Sequence, residues 1–204
     1  MIGQKMQART RIVAALAAGL IATPVLAKEL SDKSVNVLMN YAWSIMPDKF
    51  TTPAGKVIEV DKTKMDKVVV PVDVARNVIQ VARVTAQAQI CQLLEESTAN
   101  YRALMTLENS RKKWSDQQEL YISQLHLFTV MWLSGKVKVI DKGEKDGDKE
   151  VVIAENKGGA EQTCTDAEKG KVKDEITAYL KQVTAQLPPQ PAGAAATKNA
   201  EAQK

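Results

Sequence analysis

From Val74 to Glu108 the chain contains neither glycine nor proline, and Val78, Val81, Val84, Ala88, Cys91, Leu94, Tyr101 and Leu104 recur at spacings of mostly three or four. That period places them on one face of an α-helix, and no strand period fits it. At about 1.5 Å rise per residue, one helix over this stretch is a rod on the order of 50 Å long. A kink is expected around Ser97-Thr98-Ala99-Asn100, where helix propensity is weaker. A rod with such a stripe must bury it against other helices, which commits the chain to a mainly helical fold.

The partners of the rod are marked by local chemistry. Ser31 or Asp32 is expected to cap a first helix with Val35, Leu38, Met39, Ala42 and Met46 on one stripe, ending before Pro47. Asp73 is expected to cap the rod. Ser115 followed by Gln118 forms a capping box, and Gly135 stands where a left-handed residue would end the helix that it opens. Between them Leu120, Tyr121, Ile122, Leu125, Leu127, Phe128, Val130, Met131, Trp132 and Leu133 cover every side, so this helix should be central. Ser123, Gln124, His126 and Thr129 interrupt it too often for a membrane span. Thr165 and Glu168 make a second capping box, opening a helix with Val172, Ile176, Tyr179 or Leu180, Val183 and Leu187 on its seam.

Short β-branched runs at Val57-Ile58-Glu59-Val60 and Val68-Val69-Val70 predict brief extended segments. Lys136 to Ile140 and Glu150 to Ala154 predict a hairpin turning at Asp146-Gly147. The expected fold is therefore a mainly α bundle of about four helices spanning residues 28–187. The rod and the apolar helix form a long central antiparallel hairpin across Asn109 to Trp114, and a small β-hairpin or sheet lies at one end. Pro188-Pro189 closes the last helix, and the Pro/Ala-rich stretch 188–204 is expected to be a disordered tail.

The first 27 residues follow a different logic. Lys5, Arg9 and Arg11 precede an apolar run from Ile12 to Leu26 and the small-residue exit Val25-Leu26-Ala27, the pattern of a signal peptide cleaved after Ala27. Bacterial export to the periplasm or the medium follows, with no transmembrane anchor after cleavage. Three of the 28 basic residues lie in this leader, so a formal charge of +4 shrinks to near neutrality in the rest of the chain. That excludes the clustered surplus of Lys and Arg that a nucleic-acid partner requires. Export also gives meaning to Cys91 and Cys164: they are expected to form a disulfide, since neither belongs to a C-x-x-C, haem-attachment or zinc spacing.

Chemistry-bearing patterns are sparse. The single histidine, His126, lies in the most apolar helix, no G-x-S-x-G stands anywhere, and Glu95, Glu96, Glu108 and Glu119 lack the histidines of a di-iron set. The methionines are scattered on apolar stripes, and Gly143 and Lys145 spoil the acidic loop as a calcium site. No catalytic residue, metal ligand or cofactor is therefore expected. The sequence points to a non-enzymatic envelope protein that binds a protein partner, in assembly, stress protection or as an accessory subunit. The alternatives are a carrier of a small apolar ligand between helices, with Phe128, Trp132 and His126 in its pocket, or an enzyme of a class the sequence does not mark. A closed, dry cavity beside Phe128 and Trp132 would favour the carrier, and an exposed apolar patch the partner. No feature of the sequence sets the oligomeric state.

Overall fold

The computed structural model describes residues 30–141, 151–155 and 163–188 of the 204-residue chain. The expected signal peptide, the hairpin turn at Asp146-Gly147 and all but the first residue of the expected tail lie outside the described residues. The order of elements is α1 (Asp32–Ser44), β1 (Lys49–Thr51), β2 (Val57–Glu59), the short α2 (Met65–Val68), α3 (Val72–Ile90), α4 (Leu94–Ser110), α5 (Asp116–Leu133), β3 (Lys138–Asp141), β4 (Val151–Glu155) and α6 (Asp166–Gln186). The fold is a mainly helical bundle, as the periodicity requires.

The expected rod is two helices. α3 stops at Ile90 because Gln92 takes a left-handed conformation, φ +61°. The Gln92 N–H then donates to the Gln89 carbonyl at 3.1 Å and the Leu93 N–H to the Ala88 carbonyl at 2.8 Å, the paired bonds of a Schellman stop. The chain reverses there rather than kinking at Ser97–Asn100, and those residues lie inside α4. α4 runs antiparallel to α3, since Asn100 bonds to Val81 and Thr85 while Leu107 and Glu108 stand beside Asp73 and Asn77. α5 packs chiefly on α3 and more lightly on α4. Thr85 meets His126 and Gln89 meets Lys136, so α5 runs parallel to α3. The central packing is thus a three-helix up-down-up unit in place of the single long hairpin.

A left-handed glutamine is strained in a way that glycine is not, and the exposed Gln92 side chain loses little packing on removal. Gln92→Gly is therefore expected to stabilise the fold by about 0.5–1 kcal/mol, after allowing for the greater freedom of glycine in the unfolded chain. Urea unfolding reads this as a higher midpoint with an unchanged slope; a lower midpoint would contradict the turn.

The core joins α1, α3 and α5. Val35 and Ala42 from α1, Val78 and Ala75 from α3, and Ile122 and Leu125 from α5 are all fully buried. The buried Tyr121 hydroxyl donates to the Met39 carbonyl at 3.0 Å and so ties α5 to α1. Ser31, rather than Asp32, caps α1 by accepting from the Ser34 N–H. Pro71, not Asp73, stands at the start of α3. Both capping boxes form, at Ser115/Gln118 and Thr165/Glu168. Gly135, φ +70°, ends α5 with the Lys136 and Gly135 N–H groups bonded to the Met131 and Trp132 carbonyls.

The strands form two separate antiparallel pairs rather than one sheet: β1 with β2, matching Phe50 to Ile58, and β3 with β4. Val68 is not extended but closes the one-turn α2, where it and Val70 plug the core at 0% and 2% exposure. Burial outweighs β propensity in so short a run.

Candidate functional site

Helices α1 and α5 leave a groove between them. On α1 its wall is Lys33, Ser34, Val37, Leu38 and Tyr41, which share one face by their spacing; on α5 it is Phe128 and Trp132, one turn apart. The volume is about 400 Å³. Phe128 is nearly buried and forms the floor. Tyr41 stacks on it with ring centroids 5.7 Å apart and Trp132 follows at 6.5 Å, which makes a ladder of three rings. Each such contact contributes about 0.5–1.5 kcal/mol beyond area burial, so the rings arrive ordered for a guest. The groove is open to solvent: Val37 on its rim is 45% exposed, and Lys33 is the charged group along it.

His126 does not share this groove. It lies two residues before Phe128, about 200° round the helix, and lines a second cavity of about 290 Å³ with Thr85, Gln89, Ser97, Tyr101 and Ser123. Asn100, fully buried, donates through its amide nitrogen to the Val81 carbonyl at 3.1 Å and to Thr85 Oγ1 at 2.9 Å. Thr85 Oγ1 stands 3.1 Å from both the Val81 carbonyl and His126 Nε2. Threonine has one hydroxyl proton. If it goes to Val81, His126 must carry its proton on Nε2 and donate to Thr85; if it goes to His126, the ring is protonated on Nδ1.

In either tautomer the imidazole is neutral, because burial pushes its pKa down to about 4. Ser123, one turn away, bonds to the Tyr101 hydroxyl at 2.8 Å and not to His126, while the Tyr101 ring leans on the imidazole at 4.8 Å. A base this weak, whose Nε2 meets only the buried Thr85 hydroxyl and whose ring has no carboxylate partner among the described residues, does not activate an attacking group near neutral pH. The network joins α3, α4 and α5 through polar groups that would otherwise be buried without partners.

Cys91 and Cys164 stand at disulfide distance, their Cα atoms 5.1 Å apart, and connect the end of α3 to the residue before the α6 cap. Glu108 carries more than its place in the sequence indicated. It is fully buried in the last turn of α4, accepts from Trp114 Nε1 at 2.8 Å, and lies 3.3 Å from the Arg111 guanidinium. The available signal was weak, an arginine three residues on and a tryptophan just past the helix end. Among the described residues no group of three or more His, Cys, Asp or Glu is placed to hold a metal ion, and no helix is long and apolar enough to cross a membrane. No protein-family model, curated protein or solved structure matches this chain, so the reading of its function rests on the chemistry of these sites.

Proposed function

We propose that the chain is an exported, non-enzymatic cell-envelope protein that holds a protein partner by seating a short apolar segment of it in the α1/α5 groove. The observation that carries this reading is the open, ordered ladder of Tyr41, Phe128 and Trp132 beneath the exposed Val37. Buried aromatic anchors of this kind dominate protein interfaces. Lys33 at the end of the groove suits a carboxylate next to the apolar segment. The leader pattern of residues 1–27 and the Cys91–Cys164 pair support an oxidising compartment outside the cytoplasm. The carrier of a small apolar ligand is the second reading, favoured by the volume of the groove, which falls within the range of small-molecule sites.

A photo-crosslinking side chain at Val37 tests the proposal in cells. The expected result is one discrete protein adduct whose mapped peptide is apolar with an acidic neighbour. Trp132→Ala should abolish it, because losing a central aromatic anchor weakens binding by about 2 kcal/mol, roughly thirtyfold. A crosslinker at the exposed Lys181 on α6 is the control and should not give the adduct. If Val37 yields no protein adduct and organic extracts of the native protein release an apolar small molecule, the carrier reading replaces this one.

A further inference from the structure

α4 and α6 run side by side in the same direction, since Lys173 pairs with Glu96 near their starts and Val183 packs with Ala103 and Leu107 near their ends. An open groove of about 650 Å³ lies between them, from Leu94 in the first turn of α4 to Leu187 at the end of α6. Its floor is apolar: Ala103 and Val183 are buried, with Leu180 and Leu187 half-buried beside them. Leu94 stands on its rim and, at 68% exposure, is the most exposed large apolar side chain among the described residues. It is about 13 Å along the helix axis from Ala103, so it cannot cover that floor itself. One exposed leucine alone is ordinary, and the charges beside it decide what it is for.

The charged side chains lining the groove are Glu95 and Arg102, one acid and one base on the same face of α4. They are about 10 Å apart along the axis, too far to pair with each other, and neither has an ion-pair partner among the described residues. Their placement on either side of Thr98 and Ala99 is self-complementary. When the α4 of a second copy is laid antiparallel in the groove, with the two-fold axis between Thr98 and Ala99, Glu95 faces the partner's Arg102 and Arg102 faces the partner's Glu95. The same register sets Leu94 opposite the partner's Ala103, where a small side chain leaves it room on the apolar floor. The small residues at the axis let the two helices approach to about 8 Å. A helix of another protein would need neither symmetry. We propose that the α4/α6 groove is the interface of a two-fold symmetric homodimer, held by Leu94 in the partner's groove and by two Glu95–Arg102 pairs. About three turns of α4 and the end of α6 bury on the order of 500 Å² per copy, less than the roughly 800 Å² of a standard interface, so the dimer is reversible with a dissociation constant on the order of 10–100 µM. α4 and α6 take no part in the α1/α5 groove, so this interface stands or falls independently of it.

The test is sedimentation velocity of the intact, disulfide-bonded protein from about 1 to 300 µM, a range that brackets the expected constant. The mass should rise from monomer to dimer across it. Leu94→Asp, Glu95→Arg and Arg102→Glu should each weaken association tenfold or more, because each leaves an unpaired or like charge in the contact. All three side chains are exposed, and an acid suits the first turn of a helix at position 94, so the thermal melts should stay native. Mixing the Glu95→Arg and Arg102→Glu proteins should restore a dimer, since each then meets opposite charge only on the other, and the double reversal should again associate with itself. Monomer mass at every concentration, a dimer that the three substitutions leave intact, or a loss that neither mixing nor the double reversal repairs would each overturn the proposal. In the first case amide exchange separates the other occupants: faster exchange over Leu94–Ser110 after removal of residues 189–204 assigns the groove to the chain's own C-terminal stretch, and unchanged exchange leaves it to a different protein.

Discussion

Replacing Cys91 and Cys164 together by serine is expected to lower the free energy of unfolding by about 4 kcal/mol. The bridge closes a loop with a sequence separation of 73 residues, and the denatured chain gains the freedom of that loop when it opens. The loss should be uneven. α6 is anchored by a narrow seam, Val172 and Ile176 against Ala88 and Cys91, then Val183 against Ala103 and Leu107. The α1/α3/α5 core is a separate cluster that α6 meets at its edge through Tyr179. Amide exchange in the double-serine variant should therefore accelerate first over Asp166–Gln186, while the amides of α3 and α5 remain the slowest. Guanidinium unfolding measures the total and exchange mass spectrometry the distribution. Identical unfolding of the native and double-serine proteins, with two thiols alkylated in native protein under denaturing, non-reducing conditions, would show that the cysteines are not joined.

The parts of the fold legible in the sequence are those fixed by local chemistry. Ser115 with Gln118 and Thr165 with Glu168 open their helices as the motif requires, because a capping box involves only residues three apart. Helix ends were harder. Three helices stop on a left-handed residue, Gln92, Lys112 and Gly135, and only the glycine announces that conformation. The Lys112 N–H donates to the Asn109 carbonyl at 3.2 Å, the counterpart of the Gln92–Gln89 bond, with no sequence signal beyond position. A single helix over α3 and α4 was the consequence. β1 was missed for a different reason: Lys49–Thr51 has one half-buried residue and gains its strand conformation only by pairing with β2.

The sites divide in the same way. Phe128 and Trp132 at one-turn spacing are legible as one face, but their partner face on α1 is not, because Val37 and Tyr41 flank the buried stripe of Val35, Met39 and Ala42. His126 belonged to another face by helical geometry alone. Glu108 was illegible because its environment comes from elsewhere: the indole of Trp114 past the helix end, and the Tyr179 phenol from α6. A buried charge is recognised by its partners, and these are set by tertiary structure.

Lowering the pH from 6.5 towards 4 is expected to remove roughly 3 kcal/mol of stability through His126 alone. Its pKa is pushed down by burial from 6.5 to about 4, so between those values the unfolded chain binds a proton that the folded protein rejects. Stability from this group is fully present above the unfolded value, declines across the window, and falls no further once both states are protonated; a shift of about 2.5 units at about 1.36 kcal/mol each sets the size. The carboxylates of Asp61, Glu96 and Glu168 are held below their ordinary values, Asp61 chiefly by Lys64 and the other two chiefly by backbone N–H groups, and their losses come at lower pH. The histidine's slope is therefore separable. In His126→Gln the amide can still bond to Thr85 but does not titrate, so urea unfolding free energies at pH 7.5, 6.5, 5.5 and 4.5 should lose most of their decline across the window. The variant should also keep the Val37 crosslink, since His126 faces away from the aromatic groove. An unchanged slope would mean that the imidazole is not held neutral between α3 and α4. Loss of the crosslink in a variant with a native melt would mean that the groove and the buried network act as one site.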